Sequence, residues 1–259
     1  MFAETRPLIL LAFVLGGLVS GALANVVIHR DRARVPLYRG RAICPDCGEP
    51  SPFYERFPVV SYLIGGGKRK RCGHKIRVRD PLVEVVSAIA WGLVAARVGL
   101  TAILPALLVF TTTLVVVSAV DLDERRIPNK VLAPAGLVAA VLLAAAALAA
   151  GEPGLIVRML IGGLGYAVPM FILGVVAPGS MGMGDVKLAA YLGAHLAWFS
   201  GSHVLVGAFL GFVLGAVLGL ALIAVKKKDR KDTLPFGPSM ALGAFVVLFV
   251  GGIPALFSP

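Results

Sequence analysis

Long apolar runs, broken by short polar or basic connectors, set the pattern of the chain. Each run approaches the roughly 20 residues that an α-helix needs to cross a bilayer. Reading one helix per run predicts eight spans, at roughly 8–28, 82–97, 99–120, 131–150, 158–177, 186–200, 204–225 and 236–257. The apolar residues run continuously and do not alternate, which excludes a membrane barrel. The first run is too long for a signal-peptide core and has no basic segment ahead of it, so it is expected to stay as a transmembrane helix. Two spans carry polar marks. The second is bracketed by Glu84 and Arg97, and the sixth, "LAAYLGAHLAWFS" at 188–200, is short and contains His195. Such spans are expected to face a bundle interior, with His195 a satisfied interior polar residue.

Composition supports this pattern: 58% of the 259 residues are hydrophobic and 15% charged, with a mean hydropathy of +0.89. A soluble domain of this length would carry more charge. The expected fold is therefore an all-α polytopic membrane protein of about eight transmembrane helices. Its expected divisions are a first helix at 1–28, a cytoplasmic Cys-containing loop domain at 29–81 and a seven-helix membrane catalytic domain at 82–259. No internal repeat is evident.

A formal charge of +11 raises nucleic acid as a partner, but the placement of the charges argues otherwise. Assigning connectors alternately to two sides puts 29–81, 121–130, 178–187 and 226–235 together. Only Arg6, Arg97 and Arg158 of the 25 Lys and Arg then remain for the other side. Under the positive-inside rule the basic connectors are cytoplasmic and both termini lie outside. The charge is thus a topology signal, with attraction to the anionic lipid bilayer secondary. No stacking aromatics accompany the basic runs, so no nucleic-acid partner is expected.

Carboxylates beside lipid are costly, about 2.5–3.5 kcal/mol each at a helix centre, so Asp121 and Asp185 each need a reason. Asp121 follows "LVVVSAV" at the end of the third span. Asp185 closes "MGMGD" at the start of the sixth. The topology places both at one depth on one face. Two neighbouring carboxylates do not both ionise easily, so one can act as acid while the other acts as base on a water, the chemistry of peptide-bond hydrolysis. Blander readings remain open: Asp121 as a helix-end partner of Arg125 or Arg126, and Asp185 as a helix cap. Gly182 and Gly184 would give an extended substrate close access to Asp185. A proton- or ion-coupled transporter using the two aspartates is the rival from another class, but it calls for carboxylates near the midplane and, usually, repeat symmetry.

With these residues in place, the chain resembles the type IV prepilin peptidases, a group of GxGD intramembrane aspartyl proteases. "DLDERRIPN", with an Asp seven residues before a Pro, is similar to the family's first aspartate motif, and "GMGDVKL" to its second. "GLVSGALANVVIHR" at 17–30, the cysteine loop from "CPDC" to "DPLVEV", and "LPFGPSMALG" at 234–243 resemble three further family segments in the same order. The resemblance implies catalytic roles for Asp121 and Asp185. It also implies an active site at the cytoplasmic face of the bacterial inner membrane, and prepilin or pseudopilin substrates cut just before an apolar helix. A peptidase-only member lacking methyltransferase activity is the alternative within the family. "PFGP" is expected to shape a turn.

Cys44 and Cys47 in "CPDC" have the spacing with which two thiolates grip one zinc ion. On the reducing cytoplasmic side a disulfide framework is not expected. Family members with both activities carry a second Cys-x-x-Cys. Here Cys72 matches its last cysteine, but Arg69 stands where the other would be. His74 can complete a Cys3His set for structural zinc; reduced, unmetallated cysteines are the alternative. The resemblance further implies methylation of the new pilin N-terminus from S-adenosylmethionine, although no glycine-rich nucleotide loop is present. It places Glu84, in "DPLVEVV", where a carboxylate could hold the substrate's free amine; snorkelling or pairing with Arg is the bland reading.

Overall fold

The apolar runs fold as helices because, in lipid, every backbone N–H and C=O must be satisfied within the segment that carries it. The computed structural model describes residues 2–37, 57–69, 73–177, 181–224 and 235–250. Cys44, Cys47 and Cys72, and the basic connector 226–234, lie outside the described residues. Among the described residues there are nine helices: α1 Phe2–Arg32, α2 Pro58–Gly65, α3 Arg79–Val98, α4 Leu104–Glu124, α5 Asn129–Ala149, α6 Gly154–Val176, α7 Met183–Phe199, α8 Gly201–Ala224 and α9 Gly237–Val247. The protein is thus an all-α, multi-pass membrane protein. Six helices (α1, α3, α4, α5, α6 and α8) are long and apolar enough to span.

The expected sixth and eighth spans are the shorter helices, α7 with 17 residues and α9 with 11. For α7 the reason is burial within protein: Leu188, Ala189, Leu192 and Leu196 are fully buried. A helix lined by other helices need not match the hydrocarbon thickness. In α5, α6 and α8 the large apolar side chains point outward, with Leu137, Leu164 and Phe209 each more than 60% exposed. An apolar exterior around a tightly packed interior is the arrangement lipid selects.

Within the expected loop 29–81 the structure finds more order than its composition suggested. The first helix continues to Arg32, and Arg34 leaves it in the left-handed region (φ 55°). α2 follows, then a single antiparallel bridge between Lys68 and Lys75.

The chain divides into two compact units, Met1–Gly99 and Leu100–Pro259. In the first, α3 packs along α1. Gly17 and Gly21, one turn apart on α1, make this contact possible: a Cβ on Gly17 would lie 2.6 Å from Ala88 Cα, and one on Gly21 2.5 Å from Glu84 Cα. The two backbones therefore touch, as at other small-residue crossings in membranes. In the second unit, α6 packs on α7, α8 on α9, and α4 against both α5 and α9.

Candidate active site

Asp121 lies in the last turn of α4 and is 4% exposed. Its helix closes just beyond it: Arg125 takes a left-handed conformation (φ 52°) and its N–H donates to the Asp121 carbonyl at 2.8 Å. A non-glycine residue held there stores strain, which the surrounding packing must offset. The Asp121 carboxylate turns inward, where Oδ2 accepts a 2.9 Å hydrogen bond from the N–H of Gly237. Gly237 opens α9, so its amide is one of the donors that a helix start leaves unpaired. The carboxylate thus caps α9 and meets the positive end of its dipole. Arg126 is engaged elsewhere, with Glu124 at 2.6 Å.

Asp185 lies in the first turn of α7, half-buried. Its Oδ2 accepts the Gly182 N–H at 3.1 Å: Asp185 is not the N-cap itself, which is Gly182, but the third residue of the helix bonding back to the N-cap amide. This bond engages one carboxylate oxygen. The start of α7 is seated on the α4–α5 connector. A Cβ on Gly184 would lie 2.9 Å from Ile127 Cβ, and Lys187 Nζ donates to Asn129 Oδ1 at 3.1 Å. This seating brings Asp185 within electrostatic reach of Asp121, across 64 residues of sequence.

Of the two glycines of "MGMGD", Gly184 has a local reason to be small. Gly182 is extended (φ −82°, ψ 148°), a conformation open to any residue, and Gly184 is required by the close approach of Ile127.

Two further residues of the site were not legible in the sequence. Gly237 was expected only to shape a turn, yet it holds a carboxylate that precedes it by 116 residues. The flanking prolines of "PFGP" were the available signal, because Pro238 in the first turn of a helix marks where orphan amides begin. Tyr166 of α6, buried and with an unpartnered hydroxyl, also comes within electrostatic reach of Asp185. Its only signal was a polar-tipped aromatic in an apolar run. His195 differs from expectation: Nδ1 lies 2.8 Å from the Tyr191 carbonyl, but Nε2 has no partner.

Glu84 belongs to the first unit and is 1% exposed. Its Oε2 accepts the Val59 N–H at 2.7 Å, while its Oε1 is unpartnered. One turn away, Asp80 is held by His29 at 3.1 Å and Arg79 at 3.2 Å, and its carbonyl accepts from Asn25 Nδ2 at 2.8 Å. Glu84 is thus neither snorkelling nor paired with arginine; it is a buried carboxylate with one oxygen to spare. His74 is exposed. Among the described residues no group of three His, Cys, Asp or Glu side chains could hold a metal ion, and the three cysteines lie outside those residues.

The site is thus a pair of aspartates at helix ends of a membrane helix bundle, within electrostatic reach of one another. Residues 108–224 match the Type IV leader peptidase family, and residues 15–98 match the Bacterial Peptidase A24 N-terminal domain. The "Prepilin leader peptidase/N-methyltransferase" of Pseudomonas aeruginosa is 30% identical, over 96% of this chain and 93% of that protein. The protein of the same name from Stutzerimonas stutzeri is 31% identical, over 96% and 94%. That from Bacillus subtilis is 29% identical, over 90% and 92%. No solved structure matches the chain. The chain belongs to the type IV leader peptidase family.

Proposed function

We propose that the protein is an aspartic endopeptidase that removes the leader of type IV prepilins and pseudopilins, with Asp121 and Asp185 as the catalytic pair. The observation that carries this reading is the convergence of the two carboxylates, held by the Gly237 and Gly182 amides at the ends of α4 and α7. One carboxylate accepts a proton from water as the water oxygen attacks the scissile carbonyl. The other, protonated, donates to the carbonyl oxygen. The proton taken from water then passes to the leaving amine as the C–N bond breaks. The protons move within a coupled pair, so the two titrations belong to the pair and not to either residue. The distribution of basic connectors supports a site at the cytoplasmic face of the inner membrane, with both termini outside.

The relatives' names add a methyl transfer. S-adenosylmethionine, when bound, supplies the methyl group. In the first unit the unpartnered Glu84 Oε1 and Asn25 Oδ1 are buried acceptors that suit a cationic group, and we assign Glu84 to holding the substrate's new α-amine. Cys44, Cys47, Cys72 and His74 are retained as a candidate structural zinc set, in which thiolates from the "CPDC" knuckle do most of the binding.

The test is cleavage of a prepilin by reconstituted protein, followed by mass spectrometry. Asp121→Asn and Asp185→Asn are each expected to lower the rate by about a hundredfold to ten-thousandfold, the usual share of general acid–base catalysis. Undiminished cleavage by either variant would overturn the assignment.

A further inference from the structure

Between α5 and α7 lies a groove of about 600 Å³ that the catalytic pair does not occupy. Its mouth is formed by Asn129 and Lys187, the hydrogen-bonded pair that seats the start of α7 two residues beyond Asp185. From there it runs along α5 to Leu143 and along α7 to His195, roughly 20 Å and 12 Å at the helical rise per residue. Its walls are small residues at helical spacing: Ala133, Gly136 and Ala140 on α5, facing Ala190 and Ala194 on α7. Ala133 and Ala140 are exposed and Gly136, Ala190 and Ala194 half-buried, so the groove opens on the lipid side. Tyr191 and His195 form its floor, where His195, 1% exposed, leaves Nε2 without a hydrogen-bond partner.

We infer that this groove receives one face of the substrate's apolar helix and delivers the bond preceding that helix to Asp121 and Asp185. The inference rests on the leader-peptidase reading. Three features favour a helix over lipid. Facing rows of small residues allow a third backbone to approach closely, which is how helices pack where no hydrophobic force distinguishes protein from lipid. The groove begins beside Asp185, so a helix lying in it has its N-terminal end at the carboxylates. The unpaired His195 Nε2 is a site that an acyl chain cannot satisfy and that a polar side chain on a helix can.

Gly136→Leu fills the groove from within: a Cβ at Gly136 meets nothing nearer than Tyr191 Cδ2 at 3.9 Å, an ordinary van der Waals contact. In proteoliposomes, KM for a prepilin carrying its apolar helix is expected to rise at least about tenfold, with kcat within about twofold, the signature of lost ground-state binding. As an independent measurement, a photoreactive benzoylphenylalanine at Ala140 is expected to crosslink to the prepilin. The same group at Phe209, exposed on α8, is expected to crosslink to lipid only. An unchanged KM in Gly136→Leu, equal crosslinking from both positions, or only lipid adducts from Ala140 overturns the groove assignment while leaving the peptidase intact. Absence of cleavage by the wild-type protein overturns the leader-peptidase reading itself.

Discussion

Replacing Gly237 with alanine tests whether α9 holds one half of the catalytic pair. A Cβ added there would lie 2.8 Å from Asp121 Oδ2 and 3.3 Å from its Cγ. Carbon–oxygen contacts settle at about 3.3–3.6 Å, so the carboxylate must retreat by roughly 0.5 Å or the start of α9 must lift. Either movement weakens the 2.9 Å hydrogen bond from the Gly237 N–H. Hydrogen bonds to charged groups contribute about 1.5–3 kcal/mol, which corresponds to roughly 10- to 150-fold in rate if the loss falls on the transition state. Gly237 does not adopt a positive φ, so alanine adds no backbone strain and the helix should form as before. The assay is kcat/KM for prepilin cleavage in proteoliposomes, paired with thermal unfolding of the same sample. A drop of at least about tenfold with little change in Tm is expected. Gly237→Ala cleaving within about twofold of wild type would refute the view that the α9 amide positions Asp121.

Other outcomes follow from the same geometry. Gly184→Leu drives a side chain into Ile127, where a Cβ is already at 2.9 Å. Overpacking of this kind costs about 1–3 kcal/mol, so both the melting temperature and cleavage should fall, and a variant with wild-type Tm contradicts the seating of α7 on the α4–α5 connector. Gly21→Val places atoms against the Glu84 backbone, 2.5 Å from its Cα at the first carbon, and should part α1 from α3, seen as a lower Tm and faster proteolysis of the first unit. Glu84→Gln keeps the shape of the side chain and removes its charge. Prepilin should still be cut but not methylated, and a fully methylated product, read by mass spectrometry, would remove Glu84 from that role. Metal analysis of the purified protein should find zinc at about one per chain if the Cys3His set forms, with loss on Cys44→Ser. A metal-free, fully stable protein would leave those cysteines as ordinary thiols.

Most of the helical layout was legible, because lipid imposes a length and an apolarity that eight runs of sequence approach. That Asp121 and Asp185 lie within electrostatic reach of one another was legible for a related reason: the bias of Lys and Arg predicts which helix ends share a face, and a carboxylate at such an end stands out against apolar neighbours. What was not legible depends on contacts across long sequence separations. Nothing near Gly237 in the chain announces a partner in α4. At Gly184 the neighbour that a glycine admits could not be read from the sequence, and the structure shows Ile127 there. Likewise α7 was read as a span from its apolar composition, while its burial by other helices is a property of packing. The Asn25, His29 and Asp80 cluster around Glu84 was hidden for the same reason, since it forms only where α1 packs along α3, with Gly17 and Gly21 at the close crossing.

Both hydrogen bonds that hold the two candidate carboxylates come from peptide amides, those of Gly237 and Gly182. A main-chain donor does not depend on the identity of its own side chain, although at Gly237 any Cβ crowds the carboxylate it holds. The neighbourhood of the aspartates can therefore diverge widely without loss of their placement, as relatives about 30% identical along nearly the whole chain would require. What such a lineage must conserve is the path of the backbone at two helix starts, and the mutations that end it are those that remove an N–H there or, at Gly237, add a side chain against the carboxylate.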